Sequence, residues 1–411
     1  MVRNAQVNYR ITISTLIMSK INYFLVFVLS LNIACNRYQD SDYIAFNENG
    51  IPVISVEDIT TTGELRFSDL ASDFEVIRLE TGEDCLIDYI ARSYVTDEYI
   101  IISTVWNGIL LFSRDGSFIR SIVLHGNGPG EVNDPNRNIE VDEFNKKLYV
   151  TNQMSLTPEL LCLDIEKDDY KNIPIAVNEH LRNMYILNDS ILTIATMPMV
   201  SQPSDCPLFA QTTSGRLLWK IKHINKNGAN NGILNMMNGQ IYFNYIWGDD
   251  TLFILKNGKL IPHTIFQSDR NLYLPHVQAS VGDIILGFQL LNDKLISGSW
   301  SILTGFSKQN NSDRERPEFM EGKRYIYNMK KKEAFIINRI EDDILGSDKS
   351  LHPPQKNGIF SVYFTPVEIF NLAKQIENDP NVNKEISDRV LELKSLLKEE
   401  DNPVMLIGRM K

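Results

Sequence analysis

From about residue 85 onward, short apolar runs alternate with polar turns in a phrase that keeps returning. Its first occurrence reads LIDYIARSYV, TDEYIIISTV, ILLFSRDG and SFIRSIVL. Period-two alternation puts one side of each segment against a core and so predicts β-strands. The RDG step between two β-branched or aromatic runs is a hairpin signal. A second phrase runs from NIEVDEFNKKLYVTNQ to ELLCLDIEKDDYKNIPI, and a third from NMYILNDSILTIATM to LFAQTTSGRLLWKIKHI. A fourth runs from ILNMMNGQIYFNYIW to DDTLFILKNGKLIPHTIF; a fifth opens DIILGFQLLNDKLISGSW and returns at KRYIYNMKKKEAFIINRI. Four-stranded units recurring at about forty residues predict a β-propeller. A sandwich does not repeat one four-strand phrase five times, and β-helix coils are shorter. A sixth unit must combine GIFSVYFTP near residue 360 with terminal strands such as IPVISV or FEVIRL. Joining both chain ends in one sheet removes exposed edges. The expectation is an all-β, six-bladed propeller of four-stranded blades, with seven blades as the alternative.

The pattern changes at both ends. PVEIFNLAKQIEND and NKEISDRVLELKSLLKEE have a helical period, giving a short helical segment over about 366–400. Ile386, Val390, Leu393 and Leu397 share one helix face, a stripe that suits packing against a blade better than a partner. NPVMLIGRM then reads as a last strand. Near the other end, Met18 and Lys20 precede an apolar run from Tyr23 to Leu31, followed by Ala34-Cys35. A basic start, a short apolar stretch and a small residue before the cut describe a secretory signal, too short for a permanent span. Cys directly after the small residue fits a bacterial lipobox, although Asn32 stands where leucine is usual. Cys35 is therefore the expected lipidation site, with simple secretion as the alternative. Met18 is the expected true start. The expected organisation is a signal and lipobox over 1–35, a linker over 36–50 and one propeller domain over 51–411, tethered to the outer membrane.

Composition narrows the function. With 43% hydrophobic and 23% charged residues, the 411-residue chain belongs among ordered globular proteins. Losing Arg3, Arg10 and Lys20 with the signal takes the formal charge from −11 to −14. Such an acidic domain is a poor partner for nucleic acid, and its membrane contact is expected through the lipid alone. Cys85, Cys162 and Cys206 remain, widely spaced and odd in number, and read as buried thiols. A Cys162–Cys206 bridge is the alternative.

No motif announces catalysis. GxSxG and HExxH are absent, and no cofactor is identified. The conspicuous loop is HGNGPGEV, from His125 to Val132. It lacks the Gly-Lys-Ser/Thr of a phosphate loop, and NIEVDE, a strand rather than a helix, follows it. It reads as a corner between units, with glycines supplying positive φ. Trp106, Trp247 and Trp300 each follow a second strand in their unit, so they and this loop are expected on one rim. The candidate binding residues there are Trp106, Trp247, Trp300, His125, Glu131, Arg137, Arg92 and Asp249, where indoles would stack on a ligand and arginines bind carboxylates. The competing reading wedges the tryptophans between blades.

FEVIRLET at 74–81, RDGSFIRSIVLHGNGPGEV at 114–132, DDTLFIL at 249–255 and LKSLLKEEDNPVML at 393–406 carry a resemblance. The chain resembles the six-bladed β-propeller lipoproteins of Bacteroidota, which are distantly similar to NHL-repeat propellers. That resemblance implies fold and export, and nothing about a ligand. The expected function is a binding or scaffold module for a glycan, peptide or envelope-protein partner. The alternative is a hydrolase or lyase acting on a glycan or lactone at the channel mouth.

Overall fold

The computed structural model describes residues 43–133, 138–152, 159–177, 180–187, 191–197, 206–222, 232–245, 250–273, 280–308, 315–351, 354–379 and 381–411. The chain divides into a unit of residues 1–44 and a unit of residues 45–411, and the architecture that follows belongs to the second. The expected lipidation site, Cys35, lies outside the described residues.

Six sheets of three or more strands follow one another. Sheet 1 holds Ile90–Val95, Tyr99–Thr104, Ile109–Ser113 and Phe118–Val123 in that order, all antiparallel. Sheet 2 starts at Ile139–Asp142, sheet 3 at His180–Leu187, sheet 4 at Gly232–Met237 and sheet 5 at Ile284–Leu290, each with four meandering strands. Tight turns join neighbours where the backbone must turn left-handed: Asn238-Gly239 and Asn257-Gly258 have φ of 49° and 74°, and of 51° and 69°. Asn-Gly suits this two-residue hairpin because both positions need positive φ.

Sheet 6 joins the two ends of the domain. Its strands Ile359–Phe364, Val404–Met410 and Ala71–Arg78 are ordered with Val404–Met410 in the middle. FEVIRL thus takes the closing role, while IPVISV does not. Pro52–Ser55 instead runs parallel to Lys259–Gln267 on the outer side of sheet 4, with Val53 opposite Ile265. Successive meandering sheets around a common axis, sealed by strands from both ends, constitute a β-propeller.

The cores explain why many strands read as continuous apolar runs. Ile100, Ile101 and Ile102 are all fully buried. Ile101 packs with Val141, Leu148 and Val150 of sheet 2, whereas Ile100 and Ile102 pack with Met405 and Ile407 of sheet 6. A sheet covered on both faces has no polar side, so alternation vanishes. Three helices are described: α1 (Phe67–Leu70), α2 (Pro366–Asn378) and α3 (Lys384–Leu396). Thr365 and Glu368 form a capping box on α2, with Glu368 N–H donating to Thr365 Oγ1 and Thr365 N–H to Glu368 Oε2. Val390 and Leu393 of α3 are buried with Phe360, Val404 and Leu406, and Ile386 and Leu397 flank that core. The stripe is core packing.

Two further outcomes bear on the sequence reading. Cys85, Cys162 and Cys206 are buried thiols outside any disulfide; Cys162 and Cys206 share one core without bridging. In sheet 5, Leu295–Lys308 and Glu315–Asn328 each run 14 residues, longer than the repeat pattern allowed for. Trp300 therefore does not sit in a loop after its strand. It lies inside that strand, opposite Leu286 and against the backbone of Gly322. Among the described residues, no helix is long and apolar enough to cross a membrane.

Candidate functional site

The first strand of each sheet pairs with one other strand, Ile284 of sheet 5 adding an isolated bridge to Leu272, and its other edge faces the common axis. Around that axis Ile90–Val95, Ile139–Asp142, His180–Leu187, Gly232–Met237, Ile284–Leu290 and Ile359–Phe364 line a cavity of about 620 Å³. That volume is in the range of small-molecule sites.

One end of the cavity is bridged by residues 355–357, whose side chains tie down the ends of two first strands. Gln355 accepts from Val95 N–H at 2.9 Å and donates to the Ser93 carbonyl. Asn357 Nδ2 donates to the Val95 carbonyl and to Glu143 Oε1. Lys356 Nζ donates to Glu140 Oε1 at 2.5 Å and to the Val141 carbonyl at 2.6 Å.

Glu140 is 3% exposed, and among the described residues it is the single carboxylate that lines the cavity. Burial pushes its pKa up, against the opposing pull of Lys356 and of the Ile186 N–H it accepts. Two tyrosines complete this wall. Burial and the nearby Glu140 and Glu143 carboxylates hold the Tyr94 phenol well above its ordinary value, and its hydroxyl donates to Glu143. Burial likewise raises Tyr185, with Glu140 adding to the shift and Arg92 opposing it; its hydroxyl donates to the Leu234 carbonyl. Both phenols therefore stay protonated near neutral pH and serve as donors.

Arg92 and Asn235 stand out among the polar groups of the wall that are uncommitted among the described residues. Arg92 is exposed to the cavity and has no hydrogen bond or ion pair there. Asn235 is 6% exposed, and its Nδ2 has no hydrogen-bond partner.

The rim at the start of the sheet 1 first strand carries exposed aromatic and apolar side chains. Tyr89 lines the cavity and is 61% exposed. Trp106 is 64% exposed and meets His125 edge to face, ring centroids 6.0 Å apart. Backbone bonds from Val105 N–H to the Tyr89 carbonyl and from Trp106 N–H to Asp88 Oδ2 hold this loop beside Tyr89.

The expected site residues thus have different fates. Arg92 lines the cavity, and Trp106 and His125 meet on the rim. Trp300 lies in the long hairpin of sheet 5. Trp247, Asp249 and Arg137 lie outside the described residues. Glu131 folds back on its own loop, its Oε2 accepting from Gly128 N–H at 2.7 Å. That explains two of the glycines differently from the expectation. Only Gly130 of the three has positive φ, 78°. A Cβ on Gly126 would come within 2.0 Å of Glu131 Oε2, and one on Gly128 within 2.9 Å, so both are small to admit the carboxylate. Glu140, Lys356, Tyr185 and Asn235 went unnoticed in the sequence. The available signal was a polar residue inside an apolar first strand, as in NIEVD and ILNMM. Among the described residues, no group of three or more His, Cys, Asp or Glu could hold a metal ion.

A family model described as a domain of unknown function, DUF4934, matches residues 51–409. No curated protein matches the chain. Among solved structures, a protein of Bacteroides fragilis described as exported is similar over 87% of this chain and 99% of its own, at 13% identity and a TM-score of 0.59. Likeness at that identity shows the fold alone. The β-propeller domain of Cps50 (Swd1) from Myceliophteria thermophila aligns over 69% of this chain and 94% of its own, at 9% identity and a TM-score of 0.36. YCF48 bound to D1 peptide aligns over 67% and 88%, at 12% identity and a TM-score of 0.32. The last two are too distant in shape for their partners to bear on this chain.

Proposed function

The chain belongs to the DUF4934 family, and we propose that it is a six-bladed propeller exported and held by a lipid on Cys35 at the outer membrane, where it binds a ligand in its axial cavity. The single observation that carries the binding reading is the cavity wall, which leaves a guanidinium and a buried amide N–H uncommitted. A buried donor without an acceptor costs about 1–3 kcal/mol, a penalty that a bound acceptor would remove. Tyr89, Trp106 and His125 form the entrance. Rings exposed this way suit the faces of sugars or the side chains of a peptide.

Binding is favoured over hydrolysis by the state of Glu140. Hydrolysis of a glycosidic bond usually employs two carboxyl groups about 5–9.5 Å apart, one of them free to trade protons with the substrate. The carboxylate in this wall is already engaged by Lys356 and by the Ile186 N–H.

Two measurements test the proposal. Metabolic labelling with palmitate should mark the wild-type chain and not Cys35→Ala; equal labelling removes the anchor. Detergent-solubilised protein should bind members of an oligosaccharide and short-peptide panel saturably. If that binding is unchanged in Tyr89→Ala, Arg92→Gln and Asn235→Leu, the cavity is not the site.

A further inference from the structure

We infer that the axial cavity selects a small organic carboxylate, gripped by the Arg92 guanidinium and the Asn235 amide, a specification that rests on the cavity reading above. The charge pattern comes first. The chain is acidic, with a formal charge of −11, yet the cavity lining contains Arg92, Lys356 and Glu140 as its charged groups. Lys356 and Glu140 neutralise each other at 2.5 Å, which leaves Arg92 uncompensated. The described lining of the cavity therefore carries a net positive charge in an acidic protein. Such a concave site focuses an anion where the outer surface repels it.

The backbone presents Arg92 to the axis. The register of Ile90–Val95 against Tyr99–Thr104 shifts between Ile90 and Arg92, so Arg92 lies opposite Ser103 and Ala91 is the extra residue. Bulges of this kind re-aim a side chain and recur beside functional sites. Across the cavity stands Tyr185, whose phenol is within electrostatic reach of both Arg92 and Glu140. Its hydroxyl bonds to the Leu234 carbonyl, next in the chain to Asn235. Arg92 from sheet 1, Tyr185 from sheet 3 and Asn235 from sheet 4 thus converge on one region.

The donor set points to a carboxylate. A guanidinium matches a planar two-oxygen acceptor in a bidentate fork, and one further amide N–H completes it. A phosphate dianion would need more donors than one guanidinium and one amide supply. The rest of the ligand meets aromatic walls, because Tyr89, Phe360 and Tyr363 line the same space. A cavity of about 620 Å³ accommodates an organic acid with a ring or acyl group.

Calorimetric titration of the full chain with N-acetylphenylalanine, its neutral amide and inorganic phosphate tests this. The acid should bind at least tenfold more tightly than the amide or phosphate, which corresponds to about 1.4 kcal/mol. Arg92→Gln should abolish that preference, and Arg92→Lys should keep part of it, with thermal melting unchanged in both because Arg92 makes no bond among the described residues. Equal binding of acid and amide, tighter binding of phosphate, or a preference that survives Arg92→Gln overturns the assignment. Absence of acid binding up to about 10 mM, weaker than roughly −3 kcal/mol, overturns it too. Whether the cavity is a ligand site at all is judged separately by the oligosaccharide and peptide panel.

Discussion

Lys356→Met isolates the contact that ties the far end of the cavity together. In the wild type, Lys356 Nζ lies 2.5 Å from Glu140 Oε1, and the two side chains are 14% and 4% exposed. Removing one partner of a buried pair leaves the other charge stranded, which costs about 3–5 kcal/mol. Unfolding entropy of about 2.1 cal/mol/K per residue over roughly 360 residues converts that into a fall of about 4–7 °C in Tm. Adding Glu140→Gln to Lys356→Met removes the stranded charge, so the double variant should be more stable than the single one. The pH dependence has a definite sign. Glu140 has a folded-state pKa above its ordinary value, so the folded protein holds that proton more readily than the unfolded chain does. Stability then falls as pH rises through the window between the ordinary and the folded value. Without Lys356 the carboxyl pKa rises further, so the deficit of Lys356→Met should shrink as the pH is lowered toward about 5. Urea denaturation and scanning calorimetry at pH 5 and 7.5 measure all of this. A loss below about 1 kcal/mol at pH 7.5, as for exposed pairs, or a double variant no better than the single one, would refute the reasoning.

Four other expectations follow from the same geometry. Gly126→Ala should cost about 1–2 kcal/mol by pushing the Glu131 carboxylate off the Gly128 N–H, and Glu131→Ala in the same chain should make the glycine substitution nearly neutral, as read by urea midpoints. His263 is held below its ordinary value by burial, so the unfolded chain takes up the proton first and this residue's contribution to stability is lost as pH falls from 6.5 down through the lower folded-state value; an imidazole NMR titration with a midpoint at or above 6.5 would contradict it. Trp106→Ala should alter stability by no more than about 0.5 kcal/mol because the indole is 64% exposed, whereas Asn402→Ala should cost about 3 kcal/mol by orphaning Ile87 N–H and the Cys85 carbonyl and leaving the Glu80 carbonyl only the Cys85 thiol, both measured by equilibrium unfolding.

The repeat was legible because each sheet is local. The strands from Ile90 to Val123 pair only with one another, so their turns and apolar runs lie consecutively in the chain. The helices were legible for the same reason, since Thr365 and Glu368 declare a start and Val390 and Leu393 a buried face. What pairs across long distances was not. Nothing in IPVISV says that Pro52–Ser55 will lie beside Lys259–Gln267 rather than in the closing sheet, because both edges would accept a short apolar strand. The length of the sheet 5 hairpin was obscured because apolar residues of its outer half, Ile302-Leu303 and Phe319-Met320, stand side by side and do not alternate with polar ones.

The site failed to show for a sharper reason, visible in two glutamates. Glu131 stood out because glycines surround it, and those glycines turn out to make room for its own carboxylate. Glu140 drew no attention inside NIEVDE, yet it reaches Lys356 across 216 residues of sequence and fixes the cavity wall. In a radial fold, function gathers on first strands, where every sheet narrows toward the axis and a polar side chain has only the cavity to face. Arg92, Asn138, Glu140, Asn235 and Gln289 all occupy or adjoin such strands and line the cavity. A repeat sequence is therefore better searched by aligning its units and asking which first strand breaks its apolar run than by looking for a conspicuous loop. Applied to the third and fourth units, that comparison singles out Tyr185, which lies within electrostatic reach of Arg92, and Asn235, whose Nδ2 lacks an acceptor.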